Sequence, residues 1–127
     1  MSKSYIHQKP IDCYLKCLID RYNKFKPVNM STLQFACMCY DEHVAIKLLD
    51  SYPSQHYYNR INFKSTQANT ALISSVTRQF NTLTLRLIYY KCNVTIKNKN
   101  NDSFFDLTFK HKQYNCLKYY YSKQLQS

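Results

Sequence analysis

Glycine is absent from this chain of 127 residues, and so is tryptophan; proline occurs three times and acidic residues seven times. Without glycine, neither a G-x-x-x-x-G-K-[ST] loop nor a G-x-G-x-x-G turn can be built, so phosphate sites cradled by such backbones are excluded. Any turn that needs a left-handed residue must use one with a Cβ, at a cost of about 1 kcal/mol. The apolar residues never gather into a run near the ~18 that a membrane-spanning helix requires. Residues 1–10 hold no apolar stretch of the secretory kind, so an intracellular protein, cytoplasmic or nuclear, is expected.

The scarcity of acids stands against 18 Lys and Arg, for a formal net charge of +11. The excess is spread along the chain: six bases to two acids in residues 1–30, five to three in 31–90 and seven to two in 91–127. No run of five like charges occurs. The plain reading is a solvated basic surface; the functional reading is a field that steers an acidic partner, nucleic acid or membrane surface.

Motifs of site chemistry are also lacking. The six cysteines, at 13, 17, 37, 39, 92 and 116, form no C-x-x-C pair, and the four histidines form no H-E-x-x-H. Cys37 and Cys39 are two positions apart on an expected helix and diverge by about 200°, so they do not close on one ion with His43. No spacing joins a cysteine to a histidine as nucleophile and base. No catalytic residue, metal or cofactor is therefore expected.

What the chain does have is enough apolar material for one domain: 45% of residues, including 13 Tyr and 7 Phe. Ile11, Tyr14, Leu15, Leu18, Ile19 and Tyr22 recur at helical spacing and predict a helix over Ile11–Phe25. Beyond it a pattern repeats. Thr70-Ala71-Leu72, Ser74-Ser75, Leu83 and Leu87-Ile88 return 33 positions later as Ser103-Phe104-Phe105, Leu107-Thr108, Cys116 and Tyr120-Tyr121. Ser31-Thr32-Leu33, Ala36-Cys37, Val44 and Leu48-Leu49 form an earlier copy, 39 residues ahead, with about six extra residues placed in 51–58. A fixed period of this length marks stacked supersecondary units. The pattern predicts short helices over Thr32–Cys39, Glu42–Asp50, Ala71–Arg78, Asn81–Tyr90, Phe104–Lys110 and Tyr114–Lys123. Ser31 or Thr32 and Asn69 or Thr70 are candidate caps, Asn101 and Asp102 can turn or cap, and Gln124 to Ser127 should fray. Tyr119, Tyr120 and Tyr121 cannot all face inward on one helix, so at least one is expected at the surface.

In its period and apolar offsets, the pattern resembles the ankyrin repeat over most of residues 14–123. The tetrad that opens each unit reads Ser31-Thr32-Leu33-Gln34, Thr70-Ala71-Leu72-Ile73 and Ser103-Phe104-Phe105-Asp106. Tyr40, Gln79 and Lys112 stand at the family's glycine between helices, and Tyr52 and Lys91 at its glycine after the second helix. The resemblance implies an all-α helical-repeat solenoid forming a single domain. Residues 1–30 would supply a covering helix, 31–69 a unit with the insert, 70–102 a second unit and 103–123 the last.

The family implies a non-catalytic protein-interaction module that recognises partners with its fingertips and inner helices. By position, the candidates are Arg60, Asn62, Phe63 and Lys64 on one finger and Thr95, Lys97 and Lys99 on the next. Gln34, Phe35, Met38, Ile73, Thr77, Asp106 and Lys110 would face outward from the inner helices. The Asn-, Lys- and Tyr-rich usage is similar to that of small ankyrin proteins of large DNA viruses and intracellular microbes, which implies capture of a host regulatory protein. Two other classes remain open. Arg60, Phe63, Lys64, Arg78, Lys97, Lys99, Lys110 and Lys112 would suit a basic groove for single-stranded nucleic acid. The tyrosine-rich C-terminal helix would suit a self-assembling homodimer.

Overall fold

The computed structural model describes residues 11–25, 30–53, 61–65 and 69–125. Among these residues there are seven helices and no strand: α1 Ile11–Phe25, α2 Thr32–Cys39, α3 Glu42–Asp50, α4 Ala71–Thr77, α5 Asn81–Tyr89, α6 Phe104–Lys110 and α7 Tyr114–Leu125. The chain is all-α. Helical spacing predicts the ends of α1, and the period those of the other six helices to within two residues. The last helix runs on through Gln124 and Leu125, where fraying was expected. Of the 51–58 insert, residues 54–58 lie outside the described part.

Helices of seven to nine residues are marginal alone, so local caps and tertiary contacts must hold them. Ser31 caps α2 by accepting from Gln34 N at 3.1 Å, and Gln34 Oε1 accepts from Ser31 N at 3.0 Å. Thr70 caps α4, and Ser103, rather than Asn101 or Asp102, caps α6. The residue ahead of α5 is Phe80, which has no capping group. Glu42 of α3 fills that role from outside, its Oε2 accepting from Leu83 N at 2.9 Å.

The helices form two layers. α2, α4 and α6 pack side by side in chain order, and α3, α5 and α7 do the same against them. α1 lies on α3 and α2 at one end, burying Leu18 fully, and Lys47 of α3 pairs with Asp12 at 3.4 Å. Leu33, Leu49, Leu72, Leu83, Leu87 and Phe104 fill the space between the layers.

The 33-residue offset recurs in the backbone bonds themselves. Phe80 N donates to Ser75 O at 2.8 Å and Gln113 N to Thr108 O at 2.8 Å; Gln79 N donates to Val76 O and Lys112 N to Phe109 O. These turns require left-handed residues, and Gln79 (φ 59°), Lys112 (φ 58°) and Lys91 (φ 62°) supply them without glycine. Tyr40 departs from the pattern. It is extended, with φ −128°, because Asp41 begins α3 directly by capping Val44 N. Tyr52 is not left-handed either; its side chain is buried after Ser51 closes α3.

All six cysteines are free thiols, and they divide evenly by exposure. Burial pushes the Cys37 and Cys92 thiols up to about 12 and raises Cys116 as well. Cys13, Cys17 and Cys39 are exposed. A thiol that does not ionise does not alkylate. Iodoacetamide applied to the native protein near pH 8 is therefore expected to modify Cys13, Cys17 and Cys39 and to spare the other three, read by intact mass and peptide mapping. Labelling of Cys37 or Cys92 at the same rate would contradict the packing described here.

Candidate interaction surface

Two polar fingers link the outer helices to the next inner helices. In the second, Asn98 N donates to Asp102 O at 3.0 Å, and Asn98 Oδ1 accepts from Asn100 N and Asp102 N at 2.9 and 3.0 Å. Asn101 takes φ 67° there, a conformation asparagine tolerates. In the first, Ser65 N donates to Asn69 O at 2.9 Å, the same bond 33 positions earlier. Asn62 Oδ1 accepts from Asn93 N at 2.7 Å and ties the base of one finger to the next. Asn62 is half-buried in that role, whereas Phe63 and Lys64 beside it are exposed. Arg60 lies outside the described residues.

On the second finger Thr95, Lys97 and Lys99 are exposed, with Thr95 N and Oγ1 both donating to Asn93 Oδ1. Finger and inner helix meet at Asp106. Its carboxyl is held below the usual range chiefly by the hydrogen bond from Ser103 N, then by the one from Ser103 Oγ, with a smaller contribution from the positive charge of Lys97.

The inner helices present less than expected. Met38, Thr77, Asp106 and Lys110 are exposed. Gln34, Phe35 and Ile73 are buried, which corrects the expectation that they face outward. Gln34 is consumed by the cap of α2 and by a bond from its Nε2 to Asn69 O. Phe35 is enclosed by the rings of Tyr22 and Tyr40, with centroids 5.7 and 6.3 Å away, because α1 covers this end. Ile73 sits on α4, which has α2 on one side and α6 on the other, so only a narrow strip of that helix reaches solvent. Arg78, a candidate for a basic groove, already uses its guanidinium. Nη1 donates to Met38 O at 3.2 Å and to Cys37 O, and Cζ lies 4.6 Å from the ring centre of Phe80.

At the far end, Tyr119 and Tyr120 are half-buried and Tyr121 is exposed, as three consecutive tyrosines on one helix demand. Val76 is fully buried, but Phe109, its counterpart 33 positions on, is 68% exposed, because no described helix follows α7. The surface that sequence reasoning missed lies between α5 and α7, where Tyr89, Lys91, Tyr120 and Lys123 converge. Tyr89 and Lys91 lie close in sequence, but the α7 side is legible only once the two outer helices are known to be neighbours.

Comparison with known proteins found no family model, no curated protein and no solved structure that matches this chain. Among the described residues, no helix is long and apolar enough to cross a membrane.

Proposed function

We propose that the chain is a short ankyrin-like array of three helix pairs with α1 as its cover, and that it works as a non-catalytic protein-interaction module. The layer order, the bonds that recur at 33 residues and the left-handed Gln79, Lys91 and Lys112 at the family's glycine sites support the architecture. The observation that carries the function is that Phe63, Lys64, Lys97 and Lys99 on successive fingers are all exposed, as are Met38, Thr77 and Lys110 on successive inner helices. An exposed apolar ring on fingers that also carry exposed lysines suits a protein with an acidic surface, and by family resemblance that partner is a regulatory protein of a host cell. Single-stranded nucleic acid is less well served, because Arg78 is spent on backbone carbonyls and Phe63 is the only exposed ring among the described finger residues.

The test is affinity capture from lysate on immobilised chain, at about 0.1 M and about 0.5 M salt, with quantitative mass spectrometry. A partner retained at both concentrations, and lost with the pair Phe63→Glu and Lys97→Glu, is the expected result. Material that all elutes with salt or with nuclease would replace this reading by nucleic-acid binding.

A further inference from the structure

The geometry points to a second binding site, separate from the fingers, that takes an acidic peptide segment carrying one apolar anchor residue. It is an open groove of about 720 Å³ between the C-terminal ends of α5 and α7. Its lining mixes apolar, aromatic and basic side chains with Cys92, Asn93 and Gln124. Ile88 and Val94 are buried and offer an apolar floor; Tyr89 and Tyr120 stand at the sides; Lys91 and Lys123 stand at the rim. The volume lies within the range of about 300–1,000 Å³ typical of ligand clefts. Among the described residues that line it, none is acidic.

The two lysines are held in place by different means. Lys91 sits at φ 62° in the turn that ends α5, where Lys91 N donates to Ile88 O at 2.9 Å and Cys92 N to Leu87 O at 3.1 Å. The backbone of the turn thus fixes where the Lys91 side chain starts. Lys123 Nζ lies 5.1 Å from the ring centre of Tyr89 and 6.0 Å from that of Tyr119. The two rings restrain the ammonium without supplying a counter-charge, so it can still attract a carboxylate. Asp50, at the end of the neighbouring outer helix α3, is engaged by Arg86 and by the Tyr90 hydroxyl at 3.0 Å.

The rings decide between a peptide and a nucleic-acid strand. A base needs an open ring face. One face of Tyr89 is covered by Lys123, and its edge contact with Tyr90 has a centroid separation of 5.5 Å. Tyr120 is committed to edge contacts with Phe104, Phe105 and Tyr121 at 6.0, 5.4 and 5.4 Å. What remains is a shallow apolar floor, with Ile88 and Val94 6% and 8% exposed, beside the exposed side of Tyr89 and with two cations at the rim. That combination receives an apolar side chain flanked by Asp or Glu, and the charge of +11 steers such a segment toward the protein.

The experiment uses the full chain and fluorescence anisotropy. The probe is a labelled synthetic peptide of alternating Glu and Asp with one central Leu. Its partners are the same peptide with Ser for Leu and an oligothymidylate of equal length. The protein variants are Lys91→Glu with Lys123→Glu in the groove, Lys16→Glu with Lys24→Glu on α1 as a match in net charge, and Phe63→Glu with Lys97→Glu on the fingers. Circular dichroism confirms that each is folded. The expected result is a loss of about tenfold or more for the groove pair, with little change for the α1 pair, and weaker binding of the Ser peptide. Equal losses for the groove and α1 pairs, equal binding of the Leu and Ser peptides, or tighter binding of the oligothymidylate would each overturn the proposal. A loss confined to the finger pair would overturn it too, while leaving the finger surface as the protein-binding site.

Discussion

Leu72→Ala is expected to remove a large part of the folding free energy. Leu72 is 1% exposed on α4, the inner helix with a neighbour on both sides. Truncating a buried leucine costs about 2–5 kcal/mol, from lost transfer energy and from the cavity left behind. Against a total of ~5–15 kcal/mol for a domain of this kind, that is enough to leave a sizeable unfolded population on warming. The upper end of the range applies if α2 and α6 cannot close in on the void, and both are held by their own caps and pairings. Thermal and urea unfolding followed by circular dichroism should show Tm lower by roughly 10 °C or more and an unchanged urea slope. A shift of only a degree or two would mean that Leu72 is not in the centre of the core.

The second large effect runs the other way. Replacing Gln79, Lys91 and Lys112 together by glycine is expected to stabilise the protein. Each residue holds φ near +60° with a Cβ in the way. Relief of that strain gains about 1 kcal/mol per site, and the looser unfolded chain returns part of it. The three lie on separate turns, so their effects should add, for a net gain of roughly 1–2 kcal/mol and a rise in Tm of about 5 °C. Asn101→Gly is the internal comparison. It has φ 67°, but asparagine tolerates that region, so the gain there should be smaller. A triple variant less stable than the parent would mean that these side chains contribute contacts exceeding the strain. Lys91→Gly alone carries an added consequence: the turn relaxes while the α5–α7 groove loses one of its two rim cations.

Much of the fold was legible because it is periodic. The offsets that align Leu83 with Cys116 and Ser75 with Thr108 fix which side of each helix meets the other layer, and all four are buried. Helix ends were legible where a cap is local, as at Ser31 and Thr70. The bonds that join one helix pair to the next were not. Arg78 reaches Met38 O, and Glu42 caps Leu83 N, across about forty residues, and nothing in the local spacing signals either. The candidate surface failed for a related reason. Position within a unit says that Phe35 and Ile73 point away from the outer layer, but whether that direction is open depends on α1 over Phe35 and on the flanking inner helices at Ile73. The finger residues Phe63, Lys64, Lys97 and Lys99 escaped this error because loops at the edge of the two layers have no such neighbours.

The chain order of contacts within the two layers has a consequence for how the molecule comes apart. α4 and α5 form the one described pair with another pair on each flank, while α6 and α7 are supported from a single side. Loosening should therefore begin at the extremities and travel inward, like a zip held shut at its middle. Backbone amides in the central pair would be the last to trade their protons for deuterium, and damage at either margin would leave that keel standing.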